Sequence, residues 1–331
     1  MEAGTLTRGG RSSFERSSRS RLPDKLLQWG LLGISLAILL LIAYFFVRLI
    51  GESQPVFTDY GVLNFVFNNE WVPSQNLYGA LPLVVGTLIS SAIALVLGVP
   101  VAVATALFIV ELCPRQLKQP LTILVELLAA VPSVVYGLWG LFVLIPRLKP
   151  AEQWFSDTFS FLPFVGGPVA GPNCFIAGLI LAIMILPIVS AISREVMATV
   201  PPENKEAALA LGATRWEMIR MAVIPYSRSG IVGGSMLGLG RAIGETIAAT
   251  LVIGNAASIP KHIFDQGYTL AAVIANEFGE AASDKVHRAA LIAAGLLLFV
   301  LTLFINLIAR YFVVRAEKAT ARRVPEGMAG G

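Results

Sequence analysis

A chain of 331 residues of which 56% are hydrophobic and 14% charged, with a mean hydropathy of +0.73, is too apolar for an ordinary water-soluble domain. Its net charge of +4 and isoelectric point near 9.2 would suit nucleic acid, but the cations are arranged as a lipid bilayer would sort them. Two cysteines without histidine neighbours exclude a zinc site, and no metal or other cofactor is expected.

Residues 1–25 are rich in Gly, Ser and Arg, bury little, and are expected to form a disordered cytoplasmic tail. The apolar stretch that follows is too long for a secretory signal, lacks a small-residue cleavage site and precedes further spans, so it reads as a retained helix. Six stretches are long and apolar enough to cross a hydrocarbon core: Leu26–Ile50, Leu77–Val110, Leu121–Ile145, Cys174–Ile192, Gly230–Ile253 and Ala289–Val314. The expected fold is therefore all-α, a polytopic membrane protein with six transmembrane helices. Residues 26–76 would be the first helix and its outer loop, 77–314 the core and 315–331 a cytoplasmic tail.

Cations cluster in alternate connections. Arg8, Arg11, Arg16, Arg19, Arg21 and Lys25 precede the first span, and Arg115 and Lys118 lie between the second and third. Arg194, Lys205, Arg215, Arg220 and Arg228 lie between the fourth and fifth, and Arg310, Arg315, Lys318, Arg322 and Arg323 end the chain. The other connections hold none between Gly51 and Asn76, then Arg147 and Lys149, then Lys261 and Lys285. The positive-inside rule places both termini in the cytoplasm and the chain in the cell membrane. Cys113 and Cys174 then fall on opposite sides of the bilayer, where no disulfide can join them.

Gly98 and Pro100 interrupt the second span, Pro132 the third and Pro187 the fourth, each a predicted bend. The outer connection from Pro146 to Asn173 mixes Trp154, Phe155, Phe159, Phe161 and Phe164 with Pro and Gly, as an interfacial segment with aromatic anchors does. Between the fourth and fifth spans lies PPENKEAALALGATRWEMIRMAVIPYSRSG. Pro201 and Pro202 suit a helix start, Glu203 and Glu206 favour its positive end, and the Ala- and Leu-rich run sustains it to Gly212, a left-handed stop. A second amphipathic run, Thr214 to Ile224, is expected to end at Pro225. Flanking spans would hold this unit at the membrane, which excludes the groove insertion of a DNA-binding helix-turn-helix. It is either a helix presented to a cytoplasmic partner or a structural linker.

Glu206, Ala207, Ala208 and Gly212, with Pro225 thirteen residues later, resemble the EAA loop of ABC importer permeases, here spanning 193–229. The resemblance implies a type I ABC importer permease fold in which this loop seats in a groove of an ATPase subunit. One departure is Ala222, where the pattern usually has Ile. No GxxxxGK[ST] motif occurs, so a separate cytoplasmic ATPase dimer is the expected energy source and the chain itself a non-enzymatic transport subunit.

The fifth stretch, GIVGGSMLGLGRAIGETIAATLVIG, carries Arg241 eleven residues after Gly230 and twelve before Ile253, near the bilayer midplane. A guanidinium at that depth costs on the order of 3 kcal/mol on insertion scales. Glu245, four residues on, would share its helix face one turn nearer the outside. The pair is either a structural ion pair or, as intramembrane charges more often are, part of a pathway. An arginine fork favours a tetrahedral oxyanion, and a nearby carboxylate would compete for it and keep release fast. Gly234 with Gly238, and Gly240 with Gly244, have the small-xxx-small spacing of close helix packing. GLGRAIG is not a dinucleotide fingerprint, because no strand precedes it.

The stretch GLGRAIGETIAATLVIGN is similar to the fifth-helix signature of phosphate-specific ABC permeases, and ELLAAVPSVVYGLWG, from Glu126 to Gly140, to their third-helix signature. The run VVYGLWGLFVLIPRL and the longer outer loop after it resemble the PstC type of subunit. The resemblance implies a role in phosphate passage for Arg241 and Glu245. It also implies a second permease subunit of the PstA type, the ATPase dimer and an outer phosphate-binding protein as partners, with no nucleic acid. Glu126 itself is expected to cap a helix or pair with Arg115 or Lys118. Three other readings stay open: an ABC permease for molybdate or sulfate, a secondary anion transporter, and a membrane-embedded enzyme. Against the last, His262 and His287 fall in an outer connection rather than in a span.

Overall fold

The computed structural model describes residues 21–321, with side chains over 25–311; of the expected tails, 1–20 and 322–331 lie outside the described residues, whereas 21–25 and 315–321 are helical and belong to the first and last helices. The chain divides into two units, residues 1–48 and 49–331. The first contains most of α1 (Arg21–Tyr60), whose apolar residues from Leu26 to Val47 face every direction around the helix, as in a span solvated by lipid. Inside it the Ser35 hydroxyl donates back to the Leu31 carbonyl at 2.8 Å, which satisfies a polar group within the helix itself.

The second unit takes up the end of α1 and continues with α2 (Val62–Phe67) and a short hairpin, β1 (Trp71–Val72) with β2 (Leu77–Tyr78). Next come α3 (Leu81–Leu107), continued by a wider π-helical turn to Leu112, and α4 (Arg115–Ala130). After a break come α5 (Ser133–Trp139), a π turn and α6 (Ile145–Thr158), one continuous rod. Then follow α7 (Cys174–Ala198), α8 (Pro202–Ala210) and α9 (Arg215–Met218). A third π turn joins α9 to α10 (Ile224–Gly244), and α11 (Ile247–Val252), α12 (Leu270–Glu277) and α13 (Lys285–Ala321) complete the chain.

Among the described residues five continuous helices are long and apolar enough to span a bilayer: 25–60, 81–112, 133–158, 174–198 and 285–311. The sixth expected span, Gly230–Ile253, is present as two pieces, α10 and α11, separated at Glu245–Thr246. The third differs in a related way. Val131 and Pro132 are extended, at ψ near 125° and 141°, so Leu121–Ile145 is not one helix, and the continuous rod instead runs outward as far as Thr158. Proline at 132 disfavours helical backbone at residue 131, which is the physical reason. Pro225 does not end the second run of the connection, because the π turn at Ile219–Val223 just before it rearranges the backbone bonds and lets the helix continue into α10. His287 lies in the first turn of α13 rather than in a connection.

Glycines set how closely the core helices approach. A Cβ on Gly178 would lie 2.5 Å from the Ile93 Cβ, and one on Gly98 would lie 3.0 Å from the Ala182 carbonyl oxygen, so α3 and α7 run parallel in near-backbone contact. A Cβ on Gly230, Gly234 or Gly238 would meet Val196, Ile192 or Val189 in turn, so α10 runs antiparallel to α7. The Asn173 carboxamide accepts from the Ile176 N–H at 2.8 Å and starts α7, while its own nitrogen faces the buried Glu152 carboxylate at 3.4 and 3.5 Å.

At the hairpin end of the unit, Glu277 ties three segments together. Its carboxylate accepts from the Trp71 indole N–H at 3.0 Å and the Tyr268 hydroxyl at 3.3 Å, and faces His287 Nε2 at 3.0 Å. Tyr78 stacks on His287 with ring centroids 5.7 Å apart, and burial, with the charges of Asp284, Tyr60 and Glu277 behind it, pushes its phenol up to about 12. The helix interface is the more sensitive of these features to side-chain size. Gly178→Leu is expected to lower the stability of the folded chain by about 1–3 kcal/mol, read as a fall in thermal unfolding temperature in detergent.

Candidate functional site

Arg241 stands in the last turn of α10, and the helix stops at Glu245, whose backbone is extended with φ −70° and ψ 124°. The expectation that Glu245 continues the helix one turn above Arg241 is therefore corrected. Instead its carboxylate turns back to accept from the Ala248 N–H at 3.2 Å, serving a free donor in the first turn of α11. The two charges form no ion pair. Arg241 is exposed and makes no hydrogen bond or salt bridge among the described residues, while Glu245 is half-buried.

The four glycines separate into two sets. Gly234 and Gly238 are buried against α7, whereas a Cβ on Gly240 or Gly244 would meet nothing within 4 Å. Gly233, Leu237, Gly240, Arg241 and Gly244 thus form one uncovered face of α10, with Leu237 62% exposed. Helical periodicity fits this split, since these positions recur at three- and four-residue intervals.

A second break lies beside the first. A Cβ on Gly137 would meet Ala248 and Leu251, and one on Gly140 would meet Val252, so α5 and α11 run side by side in parallel. Both begin at one level, directly after a break, at Val131–Pro132 and at Glu245–Thr246. Tyr136 spans the first break by donating its hydroxyl to the Leu128 carbonyl at 2.8 Å, and it lies within electrostatic reach of Arg241. Sequence reasoning noted Pro132 only as a bend and had no signal for the break at Glu245 beyond the glycine before it. It also assigned Glu126 the wrong partners: Glu126 Oε1 pairs with Arg194 Nη2 at 2.8 Å, not with Arg115 or Lys118. Lys118 instead donates to the Val110 carbonyl at 2.6 Å.

The connection between α7 and α10 folds as helix, glycine and helix. Gly212 has φ +85°, a left-handed conformation that glycine adopts without strain. Thr214 and Glu217 form a reciprocal capping box at α9, and the Thr214 backbone N–H and hydroxyl together hold the Glu217 carboxyl below its ordinary range. Ala208 turns inward against Met218 and Ile219, while Glu206 and Ala207 are exposed. Lys205 Nζ meets Glu111 Oε1 at 2.7 Å and fastens α8 to the end of α3. A cleft of about 380 Å³ lined by Asn204, Ala207, Ala208, Met221, Ala222, Pro225 and Tyr226 opens beside α8, with Leu211 90% exposed nearby in sequence.

Residues 94–318 match a family model described as "Binding-protein-dependent transport system inner membrane component". The phosphate transport system permease protein PstC of Pasteurella multocida is 43% identical over 293 residues, covering 86% of this chain and 90% of its own. PstC of Mesorhizobium japonicum is 41% identical over 325 residues, covering 97% and 98%, and PstC 2 of Mycobacterium tuberculosis is 44% identical over 285 residues, covering 84% and 86%. Among solved structures, a chain of a bacterial alginate ABC transporter in complex with an alginate-bound periplasmic protein superposes with a TM-score of 0.59 at 19% identity. That match covers 89% of this chain and 98% of the other, a likeness of fold alone.

The cap at Glu245 has a measurable consequence. Glu245→Gln keeps an acceptor for the Ala248 N–H and should leave unfolding nearly unchanged, whereas Glu245→Ala should destabilise by about 1 kcal/mol, read by thermal unfolding in detergent.

Proposed function

Because the chain belongs to the PstC family of phosphate transport permeases, within the binding-protein-dependent inner membrane transport components, we propose that it forms half of the pathway of an ATP-driven phosphate importer. The observation that carries the reading is Arg241, an exposed guanidinium without an ion pair among the described residues, on an uncovered glycine-lined face beside two helix breaks at membrane depth. A charge held there without compensation is costly, and an oxyanion passing along that face supplies the compensation transiently. A second permease of the PstA type covers the face of α10, so that the anion crosses between the two subunits.

In this reading both termini are cytoplasmic. Residues 193–229 form the coupling loop, with Glu206, Ala207, Ala208 and Gly212 presenting α8 and its cleft to one protomer of an ATPase dimer. An outer phosphate-binding protein delivers the anion at the opposite end. Gly234 and Gly238 keep α10 close to α7, while Gly240 and Gly244 leave room for the substrate and the partner subunit. Arg241 contacts the phosphate. Glu245, tethered at the start of α11, adds negative charge near the guanidinium, which weakens anion retention and favours a protonated phosphate over fully ionised sulfate.

The test is reconstitution of the chain with its co-expressed partners and measurement of ATP-dependent uptake of radiolabelled phosphate. Losing one charge-assisted contact, worth about 1.5–3 kcal/mol, predicts uptake roughly ten- to a hundredfold lower for Arg241→Ala with assembly intact. Unchanged uptake would remove Arg241 from the pathway. Phosphate uptake in the absence of the ATPase subunit would sink the ATP-driven reading, and uptake of molybdate or sulfate instead of phosphate would reassign the substrate.

A further inference from the structure

The arginine at α7's inner end is underused. Arg194 has a side chain only 18% exposed, yet among the described residues its sole hydrogen-bonded partner is Glu126, through one nitrogen, Nη2, at 2.8 Å. A guanidinium carries five N–H donors, and the nitrogens that Glu126 leaves free reach accessible surface rather than being sealed in the core. Glu126 is 56% exposed, and a partly solvated pair held by one contact is weak. An oxyanion with several acceptor atoms can displace one carboxylate oxygen from such a fork and engage more of its donors.

Position supports this. Glu126 lies four residues before the end of α4, on the α4 side of the Val131–Pro132 break. The contact of Gly234 with Ile192 sets the antiparallel register of α10 and α7, placing Arg194 level with residue 232, nine residues from Arg241 or about 13 Å along the helix. Tyr136, across the break from α4, donates to the Leu128 carbonyl two residues from Glu126, and Arg194, two residues from both Ile192 and Val196 that face α10, leaves another side of α7 to meet α4 there.

We propose that Arg194 is a second anion-binding station on the cytoplasmic side of Arg241, with the Glu126 carboxylate as the resident anion that phosphate displaces and that then expels it. This rests on the phosphate-importer reading and extends it to release. It makes Arg194 a residue of the exit path and Glu126 a positioning residue that sets how long phosphate stays there.

The experiment uses the complete transporter reconstituted in vesicles with its ATP-binding side facing inward, loaded with ATP and graded inorganic phosphate, and measures inhibition of uptake by the luminal phosphate. Glu126→Gln removes the competitor, so half-inhibition should occur at about two- to fivefold lower luminal phosphate, the range set by an exposed ion pair. Arg194→Gln should shift half-inhibition the opposite way and slow uptake, with Arg194→Lys intermediate because it keeps the charge and loses the fork. A purely structural pair predicts parallel effects of Glu126→Gln and Arg194→Gln, and that result overturns the assignment. If Arg194→Gln fails to assemble, Glu126→Gln decides alone, and unchanged luminal sensitivity overturns it. Failure of the underlying reading is separate: it is seen as wild-type vesicles that take up no phosphate, or as full uptake by Arg241→Ala.

Discussion

Backbone groups inside a hydrocarbon layer have no water to turn to, and that constraint governs where this chain can break a helix. It breaks two, at Val131–Pro132 and at Glu245–Thr246, and at each a side chain bridges the interruption. Tyr136 reaches back to the Leu128 carbonyl and Glu245 forward to the Ala248 N–H. The breaks lie together because α5 and α11 are packed in parallel through Gly137 and Gly140. Arg241 stands at that level, so the costly charge and the costly irregular backbone share one place. Non-helical backbone at membrane depth is tolerated where protein or a polar cavity surrounds it, which is why such a place suits a passage for ions.

Close helix packing makes this arrangement rigid on one side and open on the other. Gly178, Gly98, Gly234 and Gly238 bring α3, α7 and α10 together by letting side chains such as Ile93, Ile185, Val189 and Ile192 of the facing helix pack directly onto the glycine backbone. Lipid supplies no hydrophobic drive between helices, so cohesion comes from this contact area. Gly240 and Gly244 continue the same small-residue pattern on the opposite side of α10, where nothing among the described residues lies within 4 Å of an added Cβ. The contrast shows how one sequence motif serves two ends, decided by the face on which it falls.

The connection between α7 and α10 follows a different logic, since its order comes from local bonds. The turn at Gly212, the Thr214–Glu217 capping box and the Lys205–Glu111 pair hold α8 and α9 against the end of α3 while leaving Leu211, Trp216 and Met221 exposed. α10 starts one π turn beyond α9, so a single continuous rod joins this connection to Arg241.

By itself the sequence determined the all-α membrane class, the helix–glycine–helix connection and the presence of an arginine and a glutamate at membrane depth. Those properties follow from hydropathy, from the left-handed need at Gly212 and from the rarity of charge in apolar runs. Tertiary structure alone decided what the charges do with respect to each other. Helical spacing would stack Glu245 over Arg241, but α10 ends before Glu245, whose carboxylate turns to the Ala248 N–H, and Arg241 has no ion pair among the described residues. It likewise decided that Glu126 meets Arg194, 68 residues away, rather than its neighbours Arg115 and Lys118. Local periodicity carries no information about partners brought in from another helix, so neither pairing was readable before the helices were assembled.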